Sequence, residues 1–190
     1  MCLSSYTLCY HHLREPLIIL VLTKTAFLLF ILLFAVVFPC LISSVYLFYF
    51  PALMTLSKVN ICSFNCNGLG DRKKRNEIFA WLTDKPYNIC CLQETHCTAK
   101  QEDLWQSEWG APVLFSHGLS NSRGVLILFK KNISYTIHQT LSDDSGRWMV
   151  LDITIDSTRF CLANIYAPNS DDPDFFYNLE TTIHNHIASD

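Results

Sequence analysis

No aspartate, glutamate, lysine, arginine or histidine occurs between Thr25 and Ser57. That absence excludes an ordinary solvated surface for the stretch and sets it apart from the remainder, where almost all the charge follows Lys58. Cys-x-x-Cys is missing too, although the chain holds nine cysteines. The usual zinc and dithiol-redox spacings are therefore absent. Cys90 and Cys91 lie side by side in an apolar run and read as small buried hydrophobes, which fits a reducing compartment. His96, His117, His138 and His184 fall at no ligand or triad spacing to one another, so neither a zinc site nor a histidine triad is read. No repeat or low-complexity tract interrupts the chain. The net charge of -3 does not announce a nucleic-acid partner, and the 50% apolar content excludes a disordered polypeptide.

A length of 190 residues suits one domain with something extra. The break in charge divides it into segments 1–57 and 58–190. Within the first, 25–50 exceeds the roughly 20 apolar residues that cross a bilayer. Tyr46 and Tyr49 suit an interface, and the run is too long for the apolar core of a signal peptide. The expectation is one transmembrane helix over about 25–50, with Pro39 as a kink or an end. Arg14 and Lys24 before it, and Lys58 and Arg72 to Arg75 after it, slightly favour a cytosolic second segment. Inserted, this makes a single-pass membrane protein. The alternative is an upstream stretch without a selected role and a nuclear or cytoplasmic chain.

The second segment reads as strand, helix, strand, helix, then successive strands. Strands are expected at Val59 to Phe64, Tyr87 to Leu92, Val113 to Ser116, Gly124 to Phe129, Ser134 to His138, Trp148 to Ile155 and Phe160 to Ile165. Helices are expected at Arg72 to Thr83, with Ile78, Phe79 and Leu82 inward and a basic opposite face, and at Ala99 to Trp109, with Leu104 and Trp105 inward. A third runs from Asp172 to Ile187, with Pro173 in its first turn and Phe176, Leu179 and Ile183 inward. That order predicts an α/β fold with mixed sheets flanked by helices.

Polar residues gather where strands end. "SFNCNGLG" carries Asn65 and Asn67, "LQETH" carries Glu94, "SGRWMVLDI" carries Arg147, and "ANIYAPNS" carries Tyr166 and Asn169. Loops from different strands converge at such ends, and ligands sit there. Amide NH2 groups and a phenol donate to phosphoryl oxygens, and a carboxylate holds a hard divalent ion. Each residue also has a plain structural reading. The asparagines suit a turn beside Gly68, Glu94 a solvated loop, Tyr166 a core edge and Arg147 a surface ion pair.

Together "ICSFNCNGLGDRKKRNEIFAWLTDKPYNICCLQETH", "SRGVLILFKK", "GRWMVLDI" and "LANIYAPNS" resemble the endonuclease/exonuclease/phosphatase family. The resemblance is strongest to its AP-endonuclease-like branch in LINE-type non-LTR retrotransposons, over about Lys58 to Asp190. It implies a four-layered α/β sandwich, here incomplete, and Mg²⁺-dependent phosphodiester hydrolysis of DNA, with Mn²⁺ as a substitute ion. By motif match Glu94 and Asn67 are the metal-side residues, and Asn65, Tyr166 and Asn169 the catalytic ones. Arg147 and the basic helix start, Arg72, Lys73 and Lys74, are placed on the DNA side.

The resemblance also implies a Gly-Asp-x-Asn block and a Ser-Asp-His block, and neither occurs in these 190 residues. The expectation is a fragment that is inactive, or nearly so, on its own, with an exposed sheet edge and poor solubility. Two alternatives stand beside the DNA endonuclease. One is a phosphatase or phospholipase of the same superfamily acting at a membrane; the other is a non-catalytic membrane-anchored remnant.

Overall fold

The computed structural model describes residues 17–21, 59–119, 121–170 and 172–187, and of 17–21 the backbone alone. The strands are β1 (Leu17–Val21), β2 (Ile61–Asn65), β3 (Ile89–Gln93), β4 (Val113–Ser116), β5 (Val125–Phe129), β6 (Tyr135–Ser142), β7 (Trp148–Ile155) and β8 (Thr158–Ile165). The helices are α1 (Arg72–Asp84), α2 (Glu102–Trp109), preceded by a 3-10 turn at Ala99–Gln101, and α3 (Pro173–Ile187).

Two four-stranded mixed sheets result. One has the order β2-β3-β5-β4, the other β1-β8-β7-β6. Pairing is parallel for β2 with β3 and for β1 with β8, and antiparallel elsewhere. Strands β3 and β5 are buried on both faces, which explains their unbroken apolar sequences. Side chains alternate across a strand, so successive residues serve different cores. Cys90, Leu92, Leu126 and Leu128 face Phe79, Leu82 and Trp105 of α1 and α2. Ile89, Cys91, Val125, Ile127 and Phe129 meet Met149, Leu151, Ile153, Phe160 and Leu162 of the second sheet. On that sheet's far face, Val150, Cys161, Ala163 and Ile165 pack on Leu179, Ile183 and Ile187 of α3. The layers thus run helices, sheet, sheet, helix.

Local chemistry sets the helix limits. Asp71 caps α1 by accepting from Lys74 N at 2.7 Å, and Pro86 follows its end. Thr98 and Gln101 form a capping box before α2, and Gly110 closes it in the left-handed region, φ 74°. Asp172 Oδ1 accepts from Phe175 N at the start of α3.

Several expectations need correction. Leu104 is exposed, and the inward pair on α2 is Trp105 with Trp109. The 3-10 turn resets the helical phase, so the apolar face starts later than a helix running from Ala99 would have it. Arg75, assigned to a basic surface, is buried at 2% exposure. Strand β6 continues past His138 to Ser142 through a bulge between Ile137 and Gln139. Leu17–Val21, ahead of the uncharged stretch, was given no element in the sequence and is a strand paired in parallel with β8. The helix expected over 25–50 lies outside the described residues. Among the described residues no helix is long and apolar enough to cross a membrane.

Candidate active site

The parallel β2–β3 pair ends with Asn65 beside Gln93, and backbone bonding carries on into the loops. Cys66 N donates to Gln93 O at 2.8 Å, Gly68 N to Glu94 O at 2.6 Å, and Leu69 N to Thr95 O at 2.9 Å. This zipper holds Asn65 and Asn67 alongside Glu94. Asn65 Oδ1 accepts from Asn67 N at 3.0 Å, the local turn bond asparagine favours. Asn67, Glu94, His96 and Arg123 all have positive φ, between 48° and 63°. Residues held there without glycine cost about 1–3 kcal/mol each and tend to cluster at functional sites.

Tyr166, just past β8, comes from the other sheet. Its hydroxyl donates to Glu94 Oε1, a contact across 72 positions of sequence. Burial first, and then the Glu94 carboxylate, push the phenol pKa up, so the hydroxyl stays protonated and remains a donor. Asn169 is exposed near the same phenol and favours its charged form, opposing part of that shift. Arg147 is half-buried, with Cζ 5.7 Å from the centroid of the Tyr166 ring and Nη1 donating to Tyr166 O at 3.4 Å. Tyr166 N returns a bond to Arg147 O at 2.7 Å. Burial, followed by the neighbouring charge of Arg123, lowers the Arg147 pKa.

Beneath these residues lies a fully buried polar bridge. Gln93 Nε2 donates to Asn164 Oδ1 and to Ser63 Oγ at 3.0 Å. Asn164 Nδ2 donates to Leu92 O at 3.1 Å and Leu126 O at 2.8 Å. Gln93 precedes Glu94 by one residue and Asn164 precedes Tyr166 by two. The two sheets are therefore locked together directly under the carboxylate–phenol contact.

Five of the residues singled out in the sequence, Asn65, Asn67, Glu94, Tyr166 and Arg147, meet at one end of the sheets, with Asn169 at their rim. Lys74 joins them, since Nζ donates to Asn67 O at 2.7 Å. Arg72 instead pairs with Glu108 at 3.1 Å, and Lys73 is exposed on the first turn of α1. Gln93, Asn164 and Arg123 lay inside quoted motifs but were given no role; the only signal was their adjacency to residues that had one. Among the described residues no group of three or more His, Cys, Asp or Glu gathers into a metal cage. One carboxylate with amides around it suits a hard cation that keeps most of its ligands as water and substrate oxygens. The six described cysteines are buried as thiols, outside any disulfide. The Cys97 thiol is pushed up to about 12, first by burial, which makes it a packing group and not a nucleophile.

A family model described as Endonuclease/Exonuclease/phosphatase family matches residues 62–185. A transposon TX1 uncharacterized 149 kDa protein of Xenopus laevis is 30% identical over 112 residues, 59% of this chain but 9% of that protein. The chain is similar in structure to an AP endonuclease from Archaeoglobus fulgidus, with 22% identity, TM-score 0.44, and coverage of 69% of this chain and 51% of the other. It is also similar to truncated Caenorhabditis elegans TDP2, with 15% identity, TM-score 0.48, and coverage of 68% and 57%. The chain thus spans little more than half the length of these structures and a small part of the transposon protein.

Proposed function

The chain belongs to the endonuclease/exonuclease/phosphatase family, and on that premise we propose that its strand-end cluster is the cation- and phosphate-holding part of a Mg²⁺-dependent DNA endonuclease site of the retrotransposon type. The observation that carries this reading is the meeting of Glu94 and Tyr166 across the two sheets. A solvated loop acid and an unrelated core tyrosine have no reason to share a hydrogen bond above a dedicated buried bridge. The transposon relative supports a mobile-element setting for this domain.

In this reading the Tyr166 hydroxyl fixes the Glu94 carboxylate through Oε1, and Glu94 with Asn67 holds the ion. Mg²⁺, when bound, would polarise a phosphoryl oxygen and offset the charge that develops in phosphodiester hydrolysis. Asn65 and Asn169 donate amide protons to the remaining phosphoryl oxygens. Arg147 lends positive charge from behind the Tyr166 ring. Among the described residues the cluster brings one carboxylate and no side chain assigned as general base, and positioned acid–base groups contribute about 10²–10⁴-fold. These 190 residues are therefore expected to hold ion and phosphate while leaving DNA essentially uncut.

The test is Mn²⁺ binding to the full chain, followed through the electron spin resonance signal of the free ion. Glu94→Gln is expected to weaken binding at least tenfold with the fold intact by circular dichroism. Unchanged binding in that variant would remove the reading. Plasmid nicking by the wild-type chain, lost in Glu94→Gln, would uphold the site and overturn the expected inactivity.

A further inference from the structure

Three loops interleave beside Tyr166, and the contact is close enough to require glycine. Gly124 N donates to Gly146 O at 2.9 Å. Both have positive φ, 84° and 70°. A Cβ on Gly146 would sit 2.2 Å from His117 O, and one on Gly124 would sit 2.7 Å from Thr95 Oγ1. The strand-exit loop of Glu94 is tied to the same place, through His96 N to Arg123 O at 2.9 Å and Thr95 N to Gly124 O at 3.0 Å.

Arg123 and Arg147 flank the bonded glycines, so the backbone roots two arginine side chains on adjoining loops. Like charges do not gather in this way for stability. Burial and then the Arg123 charge lower the Arg147 pKa, against opposing charge from Asp143 and Asp172, so the two arginines lie within electrostatic reach of each other. Among the described residues neither side chain forms an ion pair, whereas Arg72, Arg75 and Arg159 all do. Both are half-buried. Arg123 is also held in a left-handed conformation, φ 63°, next to the loop carrying Glu94. Two guanidiniums rooted on a rigid backbone clasp, with no carboxylate in ion-pair contact among the described residues, suit a planar, multidentate anion contact.

We propose that Arg123 and Arg147 form a second anion site, which takes the phosphodiester next to the one held at Glu94 on the same nucleic-acid strand. This inference rests on the DNA reading above. Arg147 lies over the Tyr166 ring, whose hydroxyl meets Glu94, so the pair stands one aromatic ring away from the scissile position. It makes Arg123, which no motif match assigned, a determinant of strand position and not of hydrolysis.

The experiment is fluorescence anisotropy of a labelled duplex oligonucleotide titrated with the full chain in neutral detergent, between about 50 and 200 mM salt. Arg123→Ala should weaken binding across unrelated sequences and lower the salt slope by about one, and Arg123→Ala with Arg147→Ala by about two. Lys131→Ala, at the opposite end of β5, is the equal-charge control and should leave the slope unchanged. Arg123→Lys should keep the slope while losing part of the affinity. Salt-dependent binding by the wild type that Arg123→Ala and Lys131→Ala weaken equally would overturn this inference alone. Absence of salt-dependent DNA binding by the wild type would overturn the DNA reading as well. Vesicles containing phosphatidylserine serve as the alternative anion. Binding to them through Arg123, without binding to DNA, would replace the nucleic-acid strand with a lipid headgroup and overturn the proposal.

Discussion

Replacing Asn164 by leucine keeps the volume nearly constant and removes every polar contact of a side chain with no exposure. In the native chain its amide donates to two main-chain carbonyls, Leu92 O and Leu126 O, and accepts from Gln93 Nε2. Asn164→Leu takes a donor from two carbonyls in an apolar core, while Gln93 Nε2 keeps Ser63 Oγ and Cys91 O as acceptors. Each unsatisfied buried group costs about 1–3 kcal/mol, and under-bonded carbonyls fall at the lower end. A loss of about 2–4 kcal/mol follows, a large share of the roughly 5–15 kcal/mol a domain possesses. Gln93→Met should cost less, about 1–2 kcal/mol. Gln93 Oε1 already lacks a partner, so its removal relieves an orphan while stranding Asn164 Oδ1. Because the Gln93–Asn164 bond is shared, the double variant should lose about 1 kcal/mol less than the sum. Urea unfolding followed by the fluorescence of the buried Trp105 and Trp109 measures all three, provided the slope of stability against urea is unchanged. An Asn164→Leu cost below about 1 kcal/mol, or one smaller than that of Gln93→Met, would refute the claim that this bridge holds the sheets together.

Arg75→Met should destabilise by about 3 kcal/mol in thermal melts. It strips the charge partner of Glu108 and the donor to Leu69 O, and removes a guanidinium stacked on Trp105. Arg72→Ala, at the exposed end of the same carboxylate, should cost less than about 1 kcal/mol. Hydrogen bonding from Arg75 holds Glu108 below its ordinary pKa. Its contribution is therefore present above the unfolded carboxylate pKa and is lost as pH falls through the lower folded value, and Arg75→Met should flatten that acid limb. Gly146→Ala should cost at least about 2 kcal/mol by urea unfolding, since it combines positive φ with a backbone clash, whereas Gly70→Ala, which meets nothing within 4 Å, should be nearly neutral.

Much of the layered fold was legible because β3 and β5 are short apolar runs bounded by turn residues, and Trp148–Ile155 is bounded as its pattern suggests. The strand-end motifs located Glu94, Asn65 and Tyr166, but not that two of them touch. That contact depends on folding one sheet onto another across 72 residues. Arg75 misled because arginine is almost never fully buried unless paired, and its partner Glu108 lies 33 positions away on α2. The inter-sheet role of Gln93 was invisible for the same reason, its partner being 71 positions distant. Leu17–Val21 is a short apolar stretch, which periodicity alone cannot assign to a strand or to a helix.

That strand bears on topology. Leu17–Val21 lies before the uncharged stretch and Ile61–Asn65 after it, and each is joined to the same layered body, one through β8 and the other through β3. A polypeptide that traverses a lipid barrier a single time delivers its flanks to opposite compartments. The β1–β8 ladder and one traverse between the two strands are thus mutually exclusive. With the ladder formed, Leu17–Val21 and Ile61–Asn65 lie on the same side of any such barrier. A molecule caught with its flanks on opposite sides must have given up the strand.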